Sequence, residues 1–302
     1  MIVDMPDTTT VAVNKRLVEL REDAGVITQG RVLTLVVCPR EHPDLEDAID
    51  AANEASREHP CRVVVLAHGD RDGTERLDAQ IRVGRDSGAG EVIVLWLAGG
   101  LANHESSVVI PFLLPDTPVV VWWPFDAPDV PAQDAVGTLA IRRITDATPA
   151  EDPIATIHSR RNSYSPGDSD LAWSRITYWR ALLIAAVDEL PHAPIDSVTI
   201  SGLRTEPSLD MLAGWLATRL GCPVRRQVGD LFVELHRDGA SIRLSRPQTG
   251  RTATLHRDGK PDRMLPLARR ETKECLAEDL RRLDADDIYQ GALAGLERVS
   301  YE

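Results

Sequence analysis

The sequence predicts an α/β protein: an N-terminal domain on a mainly parallel α/β sheet, followed by an α+β domain with an antiparallel meander. Three observations carry this. Near-continuous apolar runs at 31–38, 61–67, 91–97 and 118–123 read as strands buried on both faces, as parallel strands are. Segments of helical period fall between them, giving an alternation of strand and helix. Beyond residue 230 the pattern changes to short alternating strands punctuated by Asp238-Gly239 and Asp258-Gly259, dipeptides that suit tight turns.

Taken in order, 1–7 reads as a loose tail, and 11–24 as an amphipathic helix through Val13, Leu17 and Leu20, ended by Gly25. The first buried strand is closed by Pro39. A helix over 43–58, with Leu45, Ala48, Ile49 and Ala52 on one face, leads to the second, and this order implies a right-handed parallel crossover. Leu77, Ala79, Ile81 and Val83 alternate with polar residues, predicting a half-buried strand at the sheet edge, and Gly-rich 84–90 is a turn. The strand at 91–97 ends at Gly99-Gly100, and Asn103 caps a helix over 103–113. Pro124 closes the 118–123 strand. Its Trp122 and Trp123 point to opposite faces, so at most one is core against a given layer and the other can line a cleft at the strand ends. A helix at 136–141 and a strand at 142–145 complete this part.

The stretch 146–170 is rich in Pro, Ser, Asp and Asn, which divides the chain into a domain at 1–150, a linker at 151–169 and a second domain at 170–302. The second domain opens with one helix over 170–189. Asp168, Ser169 and Asp170 are candidate caps, and Ala172, Ile176, Trp179, Leu183 and Ala186 form its stripe, widened by Trp173. A strand at 197–200 follows. The helix at 207–220 has Pro207 in its first turn and Gly221 just past its end. Strands are expected at 231–236, 241–245, 252–256 and 264–267, and helices at 270–283 and 286–296.

Composition narrows the function. The 302 residues carry a net charge of −13, which argues against nucleic acid and against an anionic membrane surface, both of which need a basic face. No apolar run approaches the roughly 18 residues of a membrane helix, and the amino end lacks the pattern of a signal peptide, so a cytoplasmic protein is expected. Cys38, Cys61, Cys222 and Cys275 make neither a C-x-x-C pair nor a zinc spacing, which fits reduced thiols.

Motifs for chemistry are missing. No G-x-G-x-x-G follows a strand, and there is no phosphate-binding Walker loop, nucleophile elbow or metal-ligand histidine spacing, so no catalytic, cofactor or metal residue is assigned. His192, His236 and His256 read as turn or surface residues. His68, Asp70 and Ser106 lie at predicted strand ends and can form a relay only if the fold gathers them. Arg160, Arg161, Arg175 and Arg180 bracket the opening of the second domain. They can hold a sugar phosphate or a partner's carboxylates, or be neutralised locally by Asp168, Asp170 and Asp188, the reading preferred here.

The stretch Gly167-Asp168-Ser169-Asp170-Leu171-Ala172-Trp173-Ser174-Arg175-Ile176-Thr177-Tyr178-Trp179-Arg180 resembles the signature of OpcA, the glucose-6-phosphate dehydrogenase assembly protein family of actinobacteria and cyanobacteria. The run from His104 to Pro115, the strand ending Trp122-Trp123-Pro124, Arg142-Arg143-Ile144-Thr145-Asp146 and Leu77-Asp78-Ala79 agree with it, over about 17–296. The resemblance implies a non-catalytic activator in the oxidative pentose phosphate pathway. Such a protein binds glucose-6-phosphate dehydrogenase and promotes its assembly, oligomerisation or activity. Within that reading, Asp168, Asp170, Trp173, Arg175, Trp179 and Arg180 are expected at a partner interface or a domain joint, with a homo-oligomer left open. The competing reading is an enzyme or sensor that binds a sugar phosphate or nucleotide at the carboxyl end of the N-terminal sheet.

Overall fold

The computed structural model describes residues 1–23, 31–40, 44–83, 91–189 and 193–302. The expected helix stop at Gly25, the turn at 84–90, the first residue of the 43–58 helix and His192 lie outside them. The chain forms two compact units. One holds Met1–Asp146, Ser165–Ser169 and Thr272–Ala285; the other holds Ala147–Tyr164, Asp170–Glu271 and Asp286–Glu302.

In the first unit the order is β1 (Ile2–Met5), α1 (Thr10–Asp23), β2 (Leu33–Arg40), α2 (Leu45–Glu58), β3 (Cys61–His68), β4 (Arg76–Val83), β5 (Glu91–Ala98), α3 (Glu105–Val109), β6 (Val119–Trp123) and β7 (Arg142–Thr145). With β8 (Asp168–Asp170) these strands make an eight-stranded sheet in the order β1-β4-β5-β3-β2-β6-β7-β8. Its centre is parallel: β2 pairs with β3 and β6, β3 with β5, and β6 with β7. Every residue of β3 and β6 is buried, as the unbroken apolar runs require. Val13, Leu17 and Leu20 of α1 pack with Val36, Val64, Ile93, Val121 and Trp123 on one face. The alternate side chains point to the other face, and α2 packs there on β2 and β3 and against a helix from far along the chain, α8 (Thr272–Leu280). The Cys61 thiol, pushed up to about 12 by burial, stays protonated at neutral pH.

Five expectations in this unit are corrected. The amino end is no loose tail: β1 pairs antiparallel with β4, so β4 is one strand in from the edge. Its alternating pattern reflects one half-covered face rather than an edge. The 103–113 helix is three short pieces, 3₁₀ at Gly99–Asn103, α3, then 3₁₀ at Ile110–Phe112, and Asn103 does not cap it. Gly99 sits at φ 58°, and Pro111 cannot donate into a longer helix. The 136–141 helix shrinks to a 3₁₀ turn at Gly137–Leu139. Trp122 and Trp123 are both buried, at 1% and 0% exposure, because both faces of the sheet are covered.

Glu91 opens β5 fully buried. Arg21 grips it in a bidentate pair at 2.8 and 2.7 Å, Arg31 adds 2.8 Å, and Arg62 Nε stands 2.9 Å away. Burial by itself raises its pKa. The hydrogen bonds from Arg21 and the charges of Arg31 and Arg62 outweigh that and hold it below the ordinary 4.5.

The second unit contains α4 (Pro153–Ser163), α5 (Leu171–Arg175), α6 (Thr177–Asp188), β9 (Ser197–Gly202), α7 (Pro207–Leu220), β10 (Val224–Val228), β11 (Phe232–Arg237), β12 (Ala240–Ser245), β13 (Thr252–Arg257), β14 (Lys260–Pro266), α9 (Asp287–Gly295) and β15 (Val299–Tyr301). The strand order is β14-β13-β12-β11-β9-β10-β15. The β11–β14 meander is antiparallel, while β9, β10 and β15 run parallel. Sequence reading missed β10 and β15: β10 places Arg225, Arg226 and Gln227 in a row between two valines, and β15 has only three residues. At Asp238-Gly239 both residues have positive φ, as a type I′ hairpin needs. At Asp258-Gly259 only the glycine does, and a bulge between Leu255 and Arg257 absorbs the difference.

Helix α7 is the hub of this unit. Its first eleven residues are all buried, not merely the expected Leu209–Leu212–Leu216 face, and Gly221 ends it at φ 68°. It meets α9 through glycines: a Cβ on Gly214 would collide with the Ala292 carbonyl, and one on Gly295 with the Gly214 carbonyl.

Two outcomes are expected. Glu91→Gln lowers stability by about 3 kcal/mol or more at neutral pH, since it strands buried guanidinium groups. Because Glu91's pKa is depressed in the fold, its contribution is present above 4.5 and fades as pH falls through the lower folded value, so the gap between variant and parent narrows in acid. Urea unfolding at several pH values measures both. Gly214→Ala costs about 2 kcal/mol or more through overpacking, read as a lowered thermal midpoint.

Candidate functional site

The signature begins as a strand and continues as a broken helix. Asp168 lies in β8, where it accepts from Arg143 Nε and, at 2.8 Å, from the Ser165 N–H. Asp170 is 0% exposed. It caps α5 through the Ala172 N–H at 2.9 Å and also accepts from the Ala147 N–H at 3.3 Å. A buried carboxylate at a helix start is stabilised by those donors and by the helix dipole. Trp173 is buried, and its indole N–H reaches Asp286 at 2.9 Å. Asp286 in turn caps α9 through the N–H groups of Ile288 and Tyr289. The Arg180 guanidinium lies over the Trp173 ring, 3.5 Å from its centroid.

The expected single helix over 170–189 is interrupted at Ile176 (φ −96°, ψ 7°). The cause is a side chain in the helical ladder: Arg270 Nη1 donates to the Ser174 carbonyl at 2.7 Å. The interruption opens a pocket of about 40 Å³, walled by Arg175, Ile176 and Trp179 on one side, the start of α7 on another, and Arg246, Arg269 and Arg270 on a third. Trp179 is 5% exposed, with the Arg246 guanidinium 5.8 Å from its ring. Arg175 donates to the Thr148 hydroxyl at 3.0 Å, and Arg269 meets Glu206 at 3.3 Å.

Of the arginines singled out from sequence, only Arg175 lines this pocket. Arg161 pairs with Glu297 at 3.2 Å, and Arg180 stays with Trp173 and the Thr177 hydroxyl. Asp168 meets Arg143, and Asp170 caps α5. Sequence reading missed Ser208, Arg246, Arg269 and Arg270. The one available signal was the Arg269-Arg270 pair in an acidic chain.

A larger groove of about 1030 Å³ lies in the same unit at the carboxyl ends of β9, β10 and β15, bounded by Asp152, Arg204, Asp210, Arg226 and Tyr301. Asp210, 1% exposed, has Arg226 Nε at 3.5 Å and His158 Nε2 at 3.3 Å. Tyr301 Oη is 3.1 Å from His158 Nε2. Burial, then the Asp210 charge, push the Tyr301 pKa well above its ordinary value, so the phenol stays protonated and suits anchoring β15 rather than nucleophilic work. In the first unit His68 faces Glu105 at 2.5 Å and Arg71 at 2.5 Å.

The burial of Trp179 yields an expected outcome. Trp179→Ala costs about 3–5 kcal/mol in stability by leaving a cavity under Arg246. Urea unfolding reads it, and an unchanged midpoint would contradict the core placement.

Residues 52–162 match the model of the glucose-6-phosphate dehydrogenase subunit N-terminal domain, and residues 166–293 that of its C-terminal domain, both of the OpcA type. No protein of curated function matches the sequence. Among solved structures, the chain is similar to UDP-N-acetylglucosamine 3-dehydrogenase GnnA from Acidithiobacillus ferrooxidans, at 10% identity and a TM-score of 0.44. It is also similar to an aldose-aldose oxidoreductase from Caulobacter crescentus, complexed with glycerol, at 10% identity and a TM-score of 0.46. Each likeness covers 88% of this chain and 96% of the other. Both scores are too low to carry weight. The two domain matches lie end to end over most of the sequence, the signature included, and the chain belongs to the OpcA family of glucose-6-phosphate dehydrogenase assembly proteins.

Proposed function

We propose that the protein is a non-catalytic, cytoplasmic partner of glucose-6-phosphate dehydrogenase that binds the enzyme and raises its activity or favours its oligomer, as an allosteric activator in the pentose phosphate pathway. The observation that carries this is the pair of family matches, whose descriptions name that dehydrogenase. Among the described residues no helix is long and apolar enough to cross a membrane.

The signature supplies a contact surface in this reading. Trp173 and Trp179 are engaged in the core, so their neighbours on the outer side of α6 make the contact. There Tyr178 is 49% and Ile184 50% exposed, with Ala181 and Ala185 exposed between and beside them. These positions recur at helical spacing on a solvent-facing side that an isolated soluble protein fills with charge. Arg175 and Arg180, both partly exposed, stand at the start of this face and suit a partner's carboxylates.

Co-elution of the purified protein with the dehydrogenase, paired with dehydrogenase rates, tests the reading. A joint peak and a raised rate are expected with the parent chain. Ile184→Glu folds normally and weakens the complex roughly tenfold or more, because it places a charge in an apolar contact. Separate elution and an unchanged rate with the parent chain would refute the proposal.

A further inference from the structure

Four arginines, Arg175, Arg246, Arg269 and Arg270, line the pocket at the α5–α6 break beside the carboxylate of Glu206; Arg175 is engaged with Thr148 and Arg270 with the Ser174 carbonyl. Glu206 is engaged with Arg269. Among the described residues Arg246, 8% exposed, donates from Nη1 to the Leu267 carbonyl at 3.0 Å, leaves Nε without a hydrogen-bond partner, and forms no ion pair. Burial lowers its pKa and neighbouring Arg269 lowers it further; the Glu206 charge offsets them only in part, so the cation remains disfavoured.

The facing wall is the amino end of the fourteen-residue helix α7. Glu206, at its N-cap position, makes no capping hydrogen bond. Ser208, in the first turn, is 4% exposed, and its Oγ has no partner among the described residues. Buried hydroxyls are almost always met in folded proteins, and one that is not calls for an explanation. Here a buried hydroxyl, a buried guanidinium and an uncapped positive helix end line one small pocket.

The geometry points to a binding site for a phosphoryl dianion. Ser208 and Arg246 donate to its oxygens, and Arg269 at the rim adds positive field. A tetrahedral dianion accepts from several directions at once, which a planar carboxylate does less well. The volume sets the scale. A bound water needs about 10–15 Å³ of such space, so about 40 Å³ takes one compact tetrahedral group and leaves any organic part outside the mouth. The inference does not depend on the dehydrogenase reading, and its test contains no dehydrogenase.

Isothermal titration of the full chain near neutral pH, at constant ionic strength held with chloride, uses three probes: inorganic phosphate, glucose 6-phosphate and glucose. Saturable binding of phosphate or of the ester, with none of glucose, is expected. Tighter binding of the ester identifies a phosphomonoester as the ligand; tighter or equal binding of phosphate identifies the free ion. Ser208→Ala removes a hydroxyl that no described protein group uses, so it leaves the melting midpoint in phosphate-free buffer unchanged and weakens binding about tenfold. Arg269→Ala, on a side chain 59% exposed, folds and weakens binding roughly threefold. Absence of saturable binding to both phosphate and the ester would overturn the assignment. So would binding that is the same in the parent and both variants.

Discussion

Burying a charge without a partner is the most expensive thing this acidic chain could do, and its fold is arranged around avoiding it. Glu91, at the head of a central strand, collects Arg21, Arg31 and Arg62 from three different segments. Asp279 of α8 is held by Arg142 at 2.6 Å and by the Ser169 hydroxyl at 2.7 Å, which fixes a late helix onto the first unit. Asp168 takes Arg143, Asp170 takes two backbone N–H groups, and Asp210 takes Arg226 and His158. Apart from the local Asp170–Ala172 cap, each pairing joins residues from different segments. The hydrophobic runs determine which strands form. The buried carboxylates then determine which segments must come together around them.

The same rule explains the broken signature helix. Arg270 takes the Ser174 carbonyl out of the helical ladder, and the helix restarts one residue later with its two tryptophans still in the core. The break costs helical hydrogen bonding but creates concave space edged by guanidinium groups. Among the described residues Arg246 forms no ion pair there: it meets the Leu267 carbonyl and the Trp179 face. A charge that the protein does not neutralise is one reserved for a ligand to neutralise.

Much of this was legible in the sequence. Unbroken apolar runs marked β2, β3, β5 and β6, and the α7 limits followed from Pro207 and Gly221. These signals are local, so they survive without a structure. The strand β1 was not legible because its four residues are ordered by pairing with β4, a long-range effect. The stretch from Gly99 to Phe112 has helical spacing, yet a left-handed glycine and a proline cut it into short turns. The candidate site was legible in part. Asp170 as a cap and Trp179 as core followed from spacing, and Arg175 was singled out by its charge. Ser208, Arg246 and Arg269 come from three separated segments, and only the fold brings them to one pocket.

A crystal structure of the protein grown with tungstate, a heavy tetrahedral dianion, tests the charge-matching account most directly. The account predicts an anomalous peak in the pocket at the α5–α6 break, with Ser208 Oγ and the Arg246 guanidinium both within hydrogen-bond reach of its oxygens. A pocket without that peak, with Arg246 turned onto a carboxylate of its own chain and Ser208 Oγ bonded to the backbone, would contradict it.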